Sequence, residues 1–474
     1  MLVAGIDSST QACKVLIVDS VTGETVRSGK VPHPDGTEID PNDWWQALLK
    51  AIQQAGGLDD VAAVSIAGQQ HGMILLDENG AVVRPALTWN DTRSADAAKQ
   101  LIAEFGADLF ASKTGIVPVA SFTASKLKWV LDNEPQNAEK TAAVCLPHDY
   151  LTWRLRGFGP QNNNLEELIT DQSDVSGTAY WGNGSYCNDI FKHVFGRDLR
   201  EAGSQALKNS VIVPRVLNPG DKVKSADGKL DFGPGAGDNA AAGLGLNCMP
   251  GDAVMSLGTS GVVFGSSSRN VFDPTGIVAG FRDCNDNHLP LICTLNGARI
   301  LQAGANLLSC NYSELEDLAL KAPPGSNGLV LVPYFEGERT PNLPQAKARL
   351  ENMSLTNCTR ENTARAFVEA LLCSMSFGLS AIEETTGAKF TRIVMIGGAS
   401  INKAVQECAR SVFNVPIIVP SPTEYVARGA AVQAAWALSG KKPDWTLKLN
   451  ASLESTYEPR VFQQYTAAAE KMSL

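Results

Sequence analysis

No Cys-x-x-Cys pair, no Gly-x-x-x-x-Gly-Lys-Ser/Thr loop, no Gly-x-Gly-x-x-Gly after the first strand and no His-Glu-x-x-His is found in this sequence. Their absence excludes a thiolate zinc ribbon, a P-loop, a Rossmann fingerprint and a zincin. The ten cysteines, scattered from Cys13 to Cys408, form no disulfide framework and read as reduced thiols. Basic runs are equally scarce. With 40 basic against 50 acidic residues the net charge is -10, and the densest basic cluster is the pair Lys441 and Lys442. A phosphate-tracking stripe is missing, so nucleic acid is not expected as a partner. No stretch approaches 18 uninterrupted apolar residues, and Met1 runs straight into an apolar strand without a basic leader. Neither a membrane nor export is signalled, and a cytoplasmic location is expected.

What is present is a globular composition: 474 residues, 44% hydrophobic and 19% charged, with 42 Gly and 24 Pro. At ~100 to 200 residues per domain the chain holds two to four domains. Runs rich in Val, Ile and Leu at 61–67, 211–216, 329–332 and 393–396 read as strands between helical patterns, an α/β arrangement. Thr359 reads as the N-cap of a long, half-buried helix closed by Gly387. A second helix spans 424–438 and ends at Gly440; its small residues Ala427, Gly429, Ala430 and Ala431 suit close packing within the chain or between chains. The segment 157–168 (GFGPQNNNLEEL) reads as an exposed loop. The Gly- and Pro-rich stretch 218–237 lies near mid-chain; the hinge is placed just after it, dividing the chain into 1–242 and 243–474.

A weak repeat relates the two halves. Residues 3–18 (VAGIDSSTQACKVLIV) and 253–264 (AVMSLGTSGVVF) share the rhythm strand, polar tip, strand. The tips, Ser8, Ser9 and Thr10 in one and Gly258, Thr259, Ser260 and Gly261 in the other, let backbone N–H groups converge on an anion. Either is also an ordinary hairpin turn. Only the first carries a carboxylate, Asp7, which points to a single Mg2+ site. In 233–245 (GPGAGDNAAAGLG), Asp238 and Asn239 follow three glycines, where a sharp turn presents a carboxylate; the segment alone favours a turn or helix cap. Gln70 and His71 in AGQQHG, and Trp89, Asn90, Asp91 and Arg93 in WNDTR, supply the paired donors and acceptors of a polyol pocket. Gly397, Gly398 and Ala399 follow a strand and precede a helix, a place for flat contact with a nucleotide.

The set GIDSSTQACK, AGQQHG, WND-x-R, GAGDNAA, SLGTSG, GERTP and IGGAS, in this order and approximate spacing, resembles the FGGY carbohydrate kinases and within them the xylulokinase branch. The resemblance covers nearly the whole chain. It implies two RNase H-like α/β domains of the actin-like ATPase fold with ATP and sugar in the cleft between them. It also implies transfer of the ATP γ-phosphoryl group to the 5-hydroxyl of a ketopentose, most of all D-xylulose. By motif match Asp238 becomes the general base, with ordinary carboxylate basicity sufficing for a late proton transfer. Asp7 supports Mg2+; Gln70, His71, Trp89, Asn90, Asp238 and Asn239 contact the sugar. Ser9, Thr10, Lys14, Gly258 and Thr259 take the phosphates, and Gly398, Ala399 and Asn402 the nucleoside. A hinge near 237–245 would join Asp238 to the moving half. Related kinases are often homodimers.

Three positions depart from the branch: Gln70 stands where Met is common, His148 where Lys is common and Ala399 where a third Gly is common. Gln70 bears directly on which sugar fits. The competing readings are a kinase for another pentulose or polyol, such as ribulose, and an actin-like or heat-shock-chaperone-like ATPase module acting on a protein partner.

Overall fold

The computed structural model describes residues 1–472. Contacts group the chain into two compact units, the first comprising 1–248, 270–289 and 424–446, and the second 249–269, 290–423 and 447–474. In chain order the elements that carry the argument begin with strands β1 (Leu2–Ser8), β2 (Ala12–Asp19) and β3 (Thr25–Pro32), helix α1 (Pro41–Gln54) and strand β4 (Val61–Gly68). Then come α2 (Thr123–Asn133), α3 (Pro147–Leu155), β5 (Ile169–Asp171), α4 (Gln172–Val175), β6 (Asp231–Phe232), β7 (Ala236–Gly237) and α5 (Asp238–Gly245). The later part supplies β8 (Asp252–Leu257), β9 (Gly261–Gly265), β10 (His288–Thr294), α6 (Arg360–Thr386), β11 (Arg392–Ile396), α7 (Lys403–Val412), β12 (Ile417–Pro420), α8 (Tyr425–Ser439) and β13 (Leu449–Leu453).

The first unit is built on a sheet in the order β6, β4, β1, β2, β3, with β7 also beside β4. The β1–β2 and β2–β3 pairs are antiparallel, whereas β1–β4, β4–β6 and β4–β7 are parallel. Parallel strands must be covered on both faces. One face is covered by Trp44, Leu48 and Ala51 of α1 packing with Ile6, Val15 and Ile17. The other receives α8, whose Ala427, Ala430 and Ala431 pack with Val3, Ala63 and Ala67. This helix runs so close that a Cβ added at Gly5 would lie 2.0 Å from the Ala427 carbonyl oxygen, and one at Gly429 1.8 Å from that of Ala241 in α5. The small-residue face therefore packs within the chain.

The second unit repeats the plan: antiparallel β8 and β9, and β11 parallel to β8, in the order β10, β9, β8, β11, β12, β13. Helix α6 starts at Thr359, whose side chain accepts the Asn362 N–H, and stops at left-handed Gly387. Buried residues occupy nearly every position from Asn362 to Ser376, so the helix runs through the core of its unit instead of lying half-exposed on it. Its length and apolarity alone would pass for a membrane span, but the protein interior surrounds it.

Two local expectations change. The run 211–216 is two strands, Val211–Val213 and Arg215–Leu217, which pair with different partners on either side of Pro214. Proline cannot donate to a ladder, so the run breaks there. The expected flexible joint at 237–245 is instead the end of β7 followed by helix α5, buried against α8, and the chain leaves the first unit only after Cys248. The loop 157–168 is exposed from Pro160 to Asn164 and anchored by Trp153, whose indole N–H donates to the Asn164 carbonyl at 2.9 Å.

Candidate active site

Three strands of the first unit end at one level: Ser8 of β1 pairs with Gly68 of β4, and Gly68 with Gly237 of β7. The residues that follow them, Ser9 and Thr10, then 69–71, then Asp238 and Asn239, leave the sheet at its carboxyl edge, where open α/β sheets bind ligands.

On β1, Asp7 faces Lys14 directly across the hairpin. Lys14 Nζ lies 3.1 Å from Asp7 Oδ2 and 2.7 Å from Glu424 Oε2. Asp7 Oδ1 accepts the Ser9 backbone N–H at 3.0 Å and also the Ser9 hydroxyl. Burial lifts the Asp7 carboxyl above its ordinary pKa, against the opposing pull of Lys14 and Ser9. Trp89, 38% exposed, donates its indole N–H to Thr10 Oγ1 at 2.9 Å, which brings the WNDTR segment to the first tip. Asn90 accepts from the Thr88 hydroxyl at 2.6 Å. Asp91 is taken up by Arg93 and Thr37, a structural use of that part of the motif.

At the second strand end His71 adopts a left-handed backbone, φ 68°. Such strain persists only where surroundings enforce it. Its carbonyl oxygen accepts Lys126 Nζ at 2.7 Å and Thr123 Oγ1 at 3.3 Å, both from α2. Its Nδ1 lies 2.9 Å from the Gly177 carbonyl. A carbonyl only accepts, so this network assigns the proton to Nδ1, and in the neutral ring Nε2 is the acceptor. Lys126 is wholly buried, and loss of solvent brings its ammonium down to about 7 against the pull of Asp91. Lys126 leaves no signal in the sequence, where it sits in an ordinary helical pattern.

Asp238 occupies the first turn of α5 and is partly accessible. Its Oδ1 accepts the Asn239 backbone N–H at 2.8 Å and side-chain amide at 3.0 Å. Desolvation, then the negative charge of Asp7, pushes its pKa up to about 7. Ordinary carboxylate basicity is thus not what the structure shows: Asp238 is poised near neutrality, the range in which a general base works best. Asn239 Nδ2 reaches Gln70 Oε1 at 3.4 Å, and Gln70 Nε2 reaches the Ser173 carbonyl at 3.3 Å. Gln70, His71, Asp238 and Asn239 therefore line one strand-end site.

The remaining predicted residues belong to the second unit. Gly258, Thr259 and Ser260 form the β8–β9 tip, with Thr259 and Ser260 exposed. The tip is held from behind, where Ala298 N–H donates to the Gly258 carbonyl at 2.6 Å and Gly297 N–H to that of Thr259 at 3.1 Å. Ser256 of β8 pairs with Ile396 of β11, so the turn after β11 emerges beside this tip. Gly397 has φ 92°, and a Cβ there would lie 2.7 Å from the Leu257 carbonyl oxygen. Gly398 has open space around its Cα, Ala399 is buried, and Asn402 caps α7 by accepting the Val405 N–H at 3.0 Å.

Residues 2–185 match the N-terminal domain, and residues 253–438 the C-terminal domain, of the FGGY family of carbohydrate kinases. A xylulose kinase from Streptomyces rubiginosus is 41% identical over 458 residues, 93% of this chain and 89% of that protein. The crystal structure of a xylulose kinase from Bifidobacterium adolescentis superposes with a TM-score of 0.92 at 44% identity, covering 99% of both chains. A gluconate kinase from Lactobacillus acidophilus shares the fold with a TM-score of 0.84 at 20% identity, over 100% of this chain and 96% of that one. Kinases named for different sugars thus share this backbone.

Proposed function

The chain belongs to the FGGY family of carbohydrate kinases and phosphorylates a sugar with ATP, and within that activity we propose that D-xylulose is the acceptor and Asp238 the general base. The observation that carries the second half is Asp238 itself, at the carboxyl edge with a pKa near 7 beside Gln70 and His71. The names of its relatives support the first half.

In this reading the sugar 5-hydroxyl gives its proton to an Asp238 carboxylate oxygen as its oxygen attacks the γ-phosphorus. The bond from that phosphorus to the β,γ-bridging oxygen breaks, and ADP leaves. Such a transfer is loose, so positioning and charge neutralisation do most of the work. His71 Nε2 accepts from a sugar hydroxyl, while Gln70 and Asn239 offer both donors and acceptors. Ser9, Thr10, Lys14, Gly258 and Thr259 serve the phosphates, with Gly398, Ala399 and Asn402 under the nucleoside.

The donors around Asp7 fit Mg2+. They are oxygens, the carboxylates of Asp7 and Asp238, close enough that the charge of Asp7 raises the pKa of Asp238. Among the described residues no group of three or more His, Cys, Asp or Glu is placed to hold a metal ion. That suits an ion held by one or two carboxylates, water and substrate phosphates. When bound, Mg2+ supplies charge neutralisation on the phosphate oxygens. The ten unpaired cysteines accord with a reducing, cytoplasmic setting, and a homodimer is the assembly we expect, to be read by sedimentation equilibrium.

ADP release from Mg-ATP, measured with D-xylulose, L-xylulose, D-ribulose, L-ribulose, glycerol, D-gluconate and xylitol, tests the substrate. Strong stimulation by D-xylulose alone is expected. Preference for another sugar would transfer the assignment to the pocket around Gln70, and stimulation by none would revive the partner-driven ATPase.

A further inference from the structure

Behind the strand-end site lies a buried charge cluster that the reaction does not use. His148, at the start of α3, is 0% exposed. Its Nε2 is 3.3 Å from Asp149 Oδ1, 3.5 Å from Asp171 Oδ1 and 3.2 Å from Asp174 Oδ2, carboxylates of α3, β5 and α4. Neither ring nitrogen makes a hydrogen bond of good geometry, nor does either oxygen of Asp174. With three carboxyl groups within 3.5 Å the attraction is largely one of charge, which in a buried setting is weakly screened. Asp149 foremost, with Asp171 and Asp174, holds the imidazole proton to about 9 although burial alone would lower it, so the ring is a cation at neutral pH; burial in turn lifts the Asp149 carboxyl to about 6 and that of Asp174 well above its ordinary value.

The ring is wedged against the site's backbone. A Cβ at Gly235, which has φ 91°, would fall 2.3 Å from His148 Nδ1, and a Cβ at Gly68 3.1 Å from His148 Cβ. Gly68 ends the strand that leads to Gln70, and Gly235 precedes the one that leads to Asp238. From the opposite side Gln433 of α8 clamps Gly235, accepting its N–H at 2.8 Å and donating to its carbonyl at 2.7 Å. Helix α4, held to His148 through Asp174, carries Ser173. The Ser173 hydroxyl oxygen accepts the Gly237 N–H at 3.0 Å, and its carbonyl accepts Gln70 Nε2 at 3.3 Å. One short helix thus fixes both the residue before Asp238 and the Gln70 amide.

The geometry points to His148 as a positioning residue: its buried cation binds α4, through Asp174, against the 235–237 turn and so sets the directions in which Asp238 and Gln70 meet the sugar. A residue that merely fills space would not need a charge. The assignment rests on the sugar-kinase reading above, and wild-type phosphorylation of D-xylulose in the same assay establishes that reading independently of the variants.

The test compares His148→Gln, which removes the cation, with His148→Lys, which keeps one. For the Gln variant, kcat/KM for D-xylulose is expected to fall roughly 10- to 100-fold, the effect of misplacing reacting groups by about 1 Å. KM for ATP should stay unchanged, and the Lys variant should restore most of the loss. A folded Gln variant with wild-type sugar kinetics, or a Lys variant no better than Gln, overturns the assignment. Should substitution at 148 prevent folding, Ser173→Ala decides: it removes the acceptor of the Gly237 N–H, and the same loss confined to the sugar supports the route through α4. Unchanged sugar kinetics in Ser173→Ala overturns it.

Discussion

At the residue scale the site is organised around a carboxylate that the fold makes reluctant to ionise. Asp238→Asn should lower kcat by roughly 10² to 10⁴, the usual range for losing a general base, with ATP affinity retained. In the wild type, kcat/KM for the sugar should rise with pH through about 7, where Asp238 loses its proton, and a profile flat from pH 5.5 to 8.5 would remove Asp238 from the role. The same pKa has a consequence for stability. A carboxyl whose folded pKa is raised binds more protons folded than unfolded between its ordinary value and about 7, so its contribution to stability falls as pH rises through that window. Asp238→Asn should therefore raise the melting temperature at pH 8 and lose that advantage at pH 4, as activity is exchanged for stability; an equal melting temperature at both values would contradict the burial argument. His148, raised to about 9, also contributes most below its unfolded value and loses that contribution as pH climbs through 9, whereas Lys126, lowered to about 7 by burial, has the reverse sign and its penalty eases as pH rises above 7. Asp238 was legible because a Gly-rich turn announces it. The His148 cluster was not, because its carboxylates come from three elements between residues 149 and 174 and only the fold brings them to one ring.

Elements were legible where local chemistry decides them. Thr359 and Gly387 bound α6 as capping rules require, and the two hairpins form around their Ser, Thr and Gly tips. What the pattern missed is what surrounds an element, since α6 is buried nearly all round and even encloses an ion pair. Arg365 and Glu369, each 5% exposed, meet at 2.7 Å. Glu369 also accepts the Gly325 N–H at 2.9 Å and the Ser326 hydroxyl at 3.1 Å, while Arg365 donates to the Ala322 carbonyl at 2.9 Å. Glu369→Gln leaves that guanidinium buried without its counter-charge and should destabilise by about 3 to 5 kcal/mol, measured by urea denaturation. A change under about 1 kcal/mol would show that water reaches the pair. The close seam of α8 on α5 makes a second element-scale case. At Gly429 an added methyl meets a backbone oxygen at 1.8 Å, which no rotamer can relieve. Gly429→Ala should therefore exceed the ~1 to 3 kcal/mol typical of overpacked side chains and lower the melting temperature markedly. A wild-type melting temperature in that variant would mean that α8 is free to shift.

At the scale of the whole molecule, sequence separates the chain at one point, whereas the fold crosses between its units five times. Composition near 218–237 marks a soft stretch, but nothing local to 424–446 reveals that this segment returns to the first unit, because its small residues only become informative once β1, β4 and α5 lie beneath them. The consequence is testable without ligands. A fragment of residues 1–248 keeps β1 to β7 and α5 but lacks α8, so it exposes the apolar face of Val3, Ala63, Ala67, Ala240, Ala241 and Leu244. It also loses Gln433, the clamp on Gly235, and leaves the buried Ser65 hydroxyl without its partner on α8. A parallel sheet uncovered on one face is not a stable arrangement in water. The fragment should aggregate or show no cooperative urea transition by circular dichroism, and a second chain carrying residues 249–474 should restore the transition by returning α8. A cooperatively folded fragment 1–248 would show that α8 is an accessory to the first unit; rescue only by the second chain makes the return of 424–446 the step that completes the fold, and with it the strand-end site that Asp238 and Gln70 share.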